Sequence, residues 1–580
     1  MPLQQPLMCS NGNAEHKAAA LTSTDNCARR PAPIELVLLG LCEALRTADE
    51  HRRVITDALR VPPSTADALV QRLVTEGWMV TLDELLRRFP IPNVDNARLP
   101  PFDYIAIVTR DRPSMLRRLL KCLKRSPVPG MPLPVILVLD DSRSIQMQND
   151  YRTVTELAAA DLNTRVVHIT RDVQMSLIQR LIKHCGLPSN VTSFALCPEN
   201  ADVSIGAARN VLQVLTQKSR VLYVDDDTIP ICRQAADADP SLRVTLTSHC
   251  DPSGIRFHSS FSQAYTATYA FPESVLSIHS RWLGRSLQAC LAGMVAQDLR
   301  LPPALCPHLS RGLIQGDGRI GITMGGILGH PGTGCTGQYM YHPDPNTRRS
   351  YSAWRAFRSS EFDWPPILRQ PRTVTIAHGG LFMATSFAID NAHSLPPFFP
   401  ILRGEDSIFS TLLSALCGSL YTCHLPVVIL HLPTPSRLHY DSFRDPTASD
   451  LFCGLINQIA SESKGPRQMD VNYLGNRLEA IGSLPPISFN DLLDNLWRVL
   501  TEREVAEISA VIEAPVSDTD ESTLVPLLAR KQHLQNSLVE RPRGSHAPSD
   551  MQRWLKTFGG TLTCWPLIQA SSAQLIDMIN

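Results

Sequence analysis

The chain is 580 residues long, 43% hydrophobic and 19% charged, with 55 Lys plus Arg balanced by 55 Asp plus Glu. That length is too great for one hydrophobic core and predicts two to four units of ordinary globular composition, excluding a wholly disordered or membrane-embedded chain. The charge balance gives no general electrostatic case for a nucleic-acid partner or an anionic membrane surface.

Residues 1–31 are polar and unpatterned and predict a disordered tail. They lack a basic start followed by an apolar run, so they are not a secretory signal. No stretch reaches the roughly 18–20 uncharged apolar residues of a membrane span, and LVLLGLCEAL is interrupted by Glu43. The fifteen cysteines are dispersed without C-x-x-C pairs, which suits reduced thiols. Cys417, Cys423 and His424 match no zinc spacing. A soluble, cytoplasmic protein is expected.

From residue 32 to about 100 the apolar spacing is helical, with Ser64 and Thr81 as expected N-caps and Thr81–Glu84 at capping-box spacing. The unit resembles a small helix-turn-helix or winged helix. It is read either as a module for a peptide or protein acceptor or as a packing cap, and its interleaved acids argue against DNA.

At Asp103 the period changes. YIAIVT, PVILVLD and RVVHIT read as strands, with SMLRRLLKCLKR and YRTVTELAAADL as the helices between them. Alternating strands and helices predict parallel βαβ units in a doubly wound α/β sheet, whose ligands bind at the carboxyl ends of the strands. Residues 101–450 are expected to form this domain, with an insert at about 232–371. Residues 451–580 are expected to be a helical C-terminal region.

Those strand ends carry the chemistry. SRVLYVDDDTIP places Asp225, Asp226 and Asp227 after a short buried strand, and an extended backbone would point Asp225 and Asp227 the same way. Massed carboxylates at one point are costly without a cation, and Mg²⁺ or Mn²⁺ would accept them together with phosphate oxygens. The alternative is an acidic turn. Thr109, Arg110, Asp111 and Arg112 follow the first strand, and Asp140 and Asp141 end the second. Arg209 and Asn210 stand on the helix before the Asp cluster, Gly379 and Gly380 come later, and Glu405-Asp406 opens an apolar helix. Taken alone, Asp406 equally suits a carboxylate complementing a helix dipole.

In this order the motifs resemble those of family-2-like glycosyltransferases with a GT-A fold. The corresponding pieces are Thr109 to Pro113, Asp140-Asp141-Ser142 (one residue short of the D-D-x-S spacing), Arg209-Asn210, Asp225 to Asp227, Gly379-Gly380 and Glu405-Asp406, covering about 104–231 and 372–440. The resemblance implies a Rossmann-like, mostly parallel GT-A domain flanked by helical regions. It implies a nucleotide-sugar donor, a UDP-sugar foremost. The residues from Thr109 to Arg112 with Asp140 or Asp141 would hold base and ribose, and Arg209 and Asp226 would lie near the nucleotide. Asp225 and Asp227 would hold Mn²⁺ or Mg²⁺. Asp406 would be the general base, Glu405 would orient sugar or acceptor, and Gly379-Gly380 would belong to the acceptor segment. Displacement by one base implies inversion of the anomeric carbon. His431, at the end of VVILH, is placed to complete the metal shell or to be a buried strand-end histidine, ahead of His424 and His439. The N-terminal helical module points to a peptide, a protein or a natural product as the expected acceptor, with no nucleic acid and no membrane span expected.

Two further motifs fail their context. Gly332, Gly334 and Gly337 satisfy G-x-G-x-x-G but follow His330-Pro331 rather than a strand, so a dinucleotide site is not expected. They read as a loop near the acceptor or as a structural turn. Gln552-Arg553-Trp554 resembles the Q-x-x-R-W of processive synthases with the wrong spacing. Two other functions share the fold: a sugar-nucleotide pyrophosphorylase-like nucleotidyltransferase, for which TRDRPSM lacks phosphate-loop glycines, and a non-catalytic nucleotide- or sugar-binding protein.

Overall fold

The computed structural model describes residues 7–8, 18–19, 37–39, 41–42 and 46, and residues 48–571 apart from 77, 90–100, 125–131, 200, 239–243, 248–251, 302–306, 317, 358–363, 381–383, 434–441, 464–468, 514–520, 540 and 543–545. Most of the expected tail, and His439, lie outside these.

The chain is an α/β protein built on one mixed sheet of fourteen strands among the described residues. Its first half follows the sequence pattern. β1 (Tyr104–Thr109), β2 (Val135–Asp140), β3 (Val166–Ile169) and β4 (Arg220–Val224) lie in the order β3-β2-β1-β4, every neighbouring pair parallel. α1 (Pro113–Leu123), α2 (Ile145–Leu162), α3 (Arg171–Cys185), α4 (Ser189–Leu196) and α5 (Ile205–Leu215) connect them. Proline at the first turn starts α1, where its missing N–H costs nothing, and Gly186 at φ 62° ends α3. Side chains alternate across the sheet as strand geometry requires: Ile105 and Ile107 enter one apolar layer, while Ala106 enters the other.

The second half departs from expectation. β5 (Thr228–Ala235), β6 (Val244–Thr247), β7 (Gly254–Phe257), β8 (Thr268–Ala270), β9 (Leu299–Arg300), β10 (Arg319–Gly329), β11 (Ile367–Gln370), β12 (Val374–His378), β13 (Ser386–Asp390) and β14 (Leu420–His431) make the sheet mixed rather than mostly parallel. β13 runs antiparallel to β4, and β10 is antiparallel to β13 but parallel to β14. The insert therefore adds strands to the sheet, joined by short helices. β10, with sequence RIGITMGGILG, is buried along nearly its whole length. At Gly326 a Cβ would stand 2.1 Å from the Arg369 carbonyl oxygen, so close backbone approach requires glycine there.

Most of the flanking helices pack on these layers, and the first two have a core of their own. The helices Ala48–Leu59 and Pro63–Thr75 enclose a small core with Leu38, Trp78 and Met79. The next helix, Leu82–Arg87, packs Leu82, Leu85 and Leu86 into the sheet's own layer. Thr81 caps it, its hydroxyl accepting from Glu84 N at 3.2 Å. Ser64 instead lies within the helix that begins at Pro63. C-terminal to the sheet come α6 (Glu405–Leu416, between β13 and β14), α7 (Ala448–Glu462), α8 (Val471–Ile481), α9 (Pro486–Ile512), α10 (Glu521–Ser537) and α11 (Pro548–Ala570). α8 and α11 cross closely because Gly475 and Gly559 meet: a Cβ on Gly559 would lie 2.6 Å from the Gly475 carbonyl oxygen. α11 is tied to the loop before α6, since Trp565 Nε1 and Gln569 Nε2 donate to the Leu395 carbonyl at 2.8 and 3.0 Å. Among the described residues, no helix is long and apolar enough to cross a membrane.

Candidate active site

Parallel register brings three strand tips abreast. Thr109 pairs with Asp140, and β1 pairs with β4 so that the residues after Val224 emerge beside Thr109. Asp225, Asp226 and Asp227 form a turn rather than an extended run, closed by Thr228 N donating to the Asp225 carbonyl at 3.1 Å. The extended backbone on which the same-way expectation rested is therefore absent, and the two take different partners, Asp225 with Arg209 and Asp227 with Arg112 and His431.

Asp226 is fully buried and accepts from the Thr109 hydroxyl at 2.6 Å. That hydroxyl lies 2.7 Å from the Tyr151 hydroxyl, which accepts from Arg112 N at 2.7 Å. With the Thr109 proton on the carboxylate, Tyr151 donates to Thr109, and the relay has one direction. The Arg112 guanidinium spans two acids, at 2.8 Å from Asp226 and 3.1 Å from Asp227. Burial pushes the Asp226 carboxyl up to about 7, against the lowering effect of Arg112 and with a further rise from Asp227. Burial disfavours the Arg112 charge, but Asp226 and Asp227 outweigh it and raise its pKa.

The other oxygen of Asp227 faces His431 Nε2 at 3.3 Å, and both residues are about 1% exposed. Strand register sets this contact, because His431 pairs with Thr228 across β14 and β5. His431 Nδ1 lies 2.7 Å from the His330 carbonyl oxygen, an acceptor only, so Nδ1 carries a proton. In neutral His431 the Nε2 lone pair therefore points at a carboxylate oxygen.

Arg209, 3% exposed on α5, links the two halves of the site. It donates to Glu405 at 2.8 Å, to the Ala384 carbonyl at 3.0 Å and to Asp225 at 3.4 Å. Burial raises the Glu405 carboxyl to about 7, opposed by Arg209 and assisted by Asp406. Two features place α5 against the loop before α6. Asn210 bonds Phe398 through both its N–H and C=O, and a Cβ on Gly206 would collide with the Phe399 carbonyl at 1.9 Å. Gly404 at φ 87° then opens α6, where Asp406, half-buried, accepts from Ser407 N at 2.9 Å.

A cavity of about 320 Å³ lies over these strand ends, lined in part by Thr109, Arg110, Arg112, Asp141, Asp225, Asp226 and Arg403. Arg110 donates to the Asp202 carbonyl at 3.0 Å, and Asp141 accepts from the Ser204 hydroxyl. Arg171 approaches Asp141 at 3.4 Å. Two non-glycine residues with left-handed backbone flank the cavity, Asp111 at φ 54° and Leu402 at φ 76°. Such conformations are costly and cluster at sites that must fix a neighbouring side chain. Here they adjoin Arg112 and Arg403.

Ten of the expected residues converge: Thr109, Arg110, Arg112, Asp141, Arg209, Asp225, Asp226, Asp227, Glu405 and His431. Others are placed elsewhere. Asp140 is turned into the core, accepting from Ser142 N at 2.9 Å and lying 3.1 Å from His168 Nε2. The Asp111 side chain is half exposed, and its N–H donates to Ser142 Oγ. Gly379 and Gly380, at φ 78° and 89°, pack on α6, where a Cβ on Gly379 would lie 1.9 Å from Ser414 Oγ and Gly380 N donates to Ser410 Oγ at 2.9 Å. They shape a turn against a helix and do not line the cavity. Gly332 also belongs to a structural turn, its N–H donating to His330 Nδ1 at 3.0 Å.

Sequence reasoning missed Tyr151, Ser204, Arg403 and His330. Arg403 lies two residues before Glu405-Asp406 and Ser204 five before Arg209-Asn210, and that nearness was the available signal. Tyr151 and His330 lie far along the chain and had none. Among the described residues, no three His, Cys, Asp or Glu side chains form a ready-made metal cage. The chain matches no protein-family model and no curated protein sequence.

Proposed function

We propose that the protein is a metal-dependent glycosyltransferase of GT-A type that moves a single sugar from a nucleotide-sugar donor, a UDP-sugar foremost, to an acceptor hydroxyl. The observation that carries this reading is the convergence of Asp225, Asp226, Arg112, Arg209 and Glu405 at the carboxyl ends of parallel strands, beside a cavity. Parallel sheets place ligands at that edge. The strand order β3-β2-β1-β4 followed by antiparallel β13 supports the same reading.

Each side chain then has a role. Thr109 and Asp141 edge the nucleotide part of the cavity, and Arg110 and Arg403 offset diphosphate charge. Arg209 is a positioning residue that holds Asp225 and Glu405 at fixed separation. Glu405 is committed to Arg209, which leaves Asp406 on the same helical turn to take the acceptor proton, with inversion at the anomeric carbon. The donor set suits a hard cation. Asp225 faces the cavity and would be the carboxylate offered to it, with Asp227 and His431, buried and 3.3 Å apart, as support behind; Mg²⁺-type sites use one or two carboxylates and complete the shell with phosphate and water. When bound, that cation stabilises negative charge on the departing diphosphate.

A second reading, a nucleotide- or sugar-binding protein without catalysis, draws on two observations: Arg112 already neutralises Asp226 and Asp227, and Asp406 does not line the cavity. Thermal unfolding with UDP and Mn²⁺ together, each alone, and neither tests the site that both readings need. Joint addition should raise Tm by mass action beyond the sum of the separate shifts. Equal Tm under all four conditions refutes the first reading and the nucleotide-binding form of the second. Asp406→Asn separates them, abolishing transfer while keeping the Tm shift only if Asp406 is the base.

A further inference from the structure

We propose that the C-terminal helix α11 forms one wall of an acceptor groove, that the acceptor is a saccharide chain, and that Trp554 is its stacking platform. The role as acceptor site rests on the glycosyltransferase reading above; the saccharide chemistry of the groove does not.

A second cavity of about 1170 Å³ adjoins the first and shares Asp202, Val203 and Arg403 with it. Its size exceeds the upper end of ordinary small-molecule pockets, about 1,000 Å³. It therefore has room for more than one sugar ring. Part of its wall comes from α4 and α11, which pack together, with Phe194 on α4 and Trp554 and Thr557 on α11. Neither helix belongs to the strand-end constellation, so the groove extends the site into the C-terminal region.

The lining selects the ligand class. Trp554 is half-buried, and His546 meets its ring in a T-shaped arrangement, 5.0 Å between centroids and 74° between planes. The indole orientation is thus held while part of the ring faces the groove. Ser189, Asn190 and Ser193 on α4 add small groups that both donate and accept hydrogen bonds. A flat apolar ring beside such groups matches a sugar, which has one C–H face and a rim of hydroxyls. A peptide would be better served by a sheet edge for strand addition, and among the described residues only helices and loops line this groove.

Leu395 to Arg403 connects groove and nucleotide cavity. Its first residue is held by α11 through Trp565 and Gln569, and its last lines both cavities. Ser449 at the start of α7 donates to the Arg403 carbonyl, fixing the junction from the C-terminal side. An acceptor lying on Trp554 would present its end toward Arg403, next to the donor.

The test is the full-length protein on an array of immobilised oligosaccharides, without donor, beside Trp554→Ala, Trp554→Phe and Thr557→Arg. Wild type should bind a defined subset of glycans. Trp554→Ala should weaken that binding by roughly tenfold or more, the scale of one lost aromatic contact. Trp554→Phe should retain most of it, and Thr557→Arg should abolish it by filling the groove. Should Trp554→Ala fail to fold, Thr557→Arg carries the comparison. No glycan bound by wild type, or equal binding by the groove variants, overturns the proposal. A Tm shift with UDP and Mn²⁺ measured on the same wild-type sample separates the two ideas. A shift without glycan binding sinks the groove alone, whereas glycan binding without a shift sinks the nucleotide-sugar reading and leaves a saccharide groove.

Discussion

Replacing Arg209 with methionine should be among the most damaging single changes in the sheet domain, and the damage should depend on pH. Arg209 and Glu405 are 3% and 6% exposed and paired at 2.8 Å, so the substitution strands a buried carboxylate. Breaking one side of a buried pair costs about 3–5 kcal/mol, and we expect that loss at pH 8. Asp225 adds little, because its side chain is 26% exposed and water can replace Arg209 there. At pH 5.5 the stranded Glu405, already raised to about 7 in the paired state, takes up a proton. The loss should then shrink by about 1–2 kcal/mol. Removing the charge as well, in Arg209→Met with Glu405→Gln, should recover at least about 2 kcal/mol at pH 8 as a coupling energy. Urea unfolding of wild type, both single variants and the double variant at the two pH values gives all these quantities. A single variant within about 1 kcal/mol of wild type at pH 8 would refute the reasoning, as would a double variant no more stable than Arg209→Met.

Other expectations follow from the same geometry. Asp226 has a folded pKa of about 7 against an ordinary 3.8, so the folded state holds its proton more tightly. Its contribution is full below about pH 4 and is lost as pH rises toward 7, so urea midpoints of wild type should fall relative to Asp226→Asn across that window. A difference independent of pH would remove Asp226 as the cause. Gly206→Ala should destabilise by at least about 1–3 kcal/mol, because its Cβ meets a backbone carbonyl at 1.9 Å; a variant with unchanged Tm would contradict that packing. His431→Ala should lower the Mn²⁺ dependence of the UDP-induced Tm shift by roughly tenfold or more in apparent metal affinity, the order seen when a metal site loses a supporting group. An unchanged metal titration would make His431 only a strand-end partner of Asp227.

The half of the fold that was legible in the sequence is the half with simple period. YIAIVT, PVILVLD and VLYV are short, β-branched and separated by helical patterns, so their strands, parallel pairing and carboxyl-end acids follow from local rules. The acids' directions did not follow, because alternation holds only while the backbone stays extended and the chain turns at Asp225 to Asp227. Gly379-Gly380 looked like an acceptor loop for a similar reason: close packing on Ser410 and Ser414 selects glycine as strongly as a ligand would. β10 was hidden because its glycines, one of them (Gly326) required by close approach to the Arg369 carbonyl, weaken the apolar signal of a central strand. Tyr151 and His330 reach the site only through tertiary pairing, as one orders Thr109 and Arg112 and the other fixes the Nδ1 proton of His431. The groove is of this kind too, since no local pattern joins α4 to α11.

The most direct measurement is nucleotide release from a panel of UDP- and GDP-sugars, with Mn²⁺ and with chelator, by wild type and Asp225→Asn. Asp225 is the variant of choice because it faces the cavity and is partly exposed, so its loss should leave the fold intact. Release that requires metal, favours one donor and falls by roughly a hundredfold or more in the variant is the expected result, the scale on which lost charge stabilisation at a reacting centre is felt. No release from any donor, with no Tm response to UDP and Mn²⁺, contradicts the assignment of this site to nucleotide-sugar chemistry.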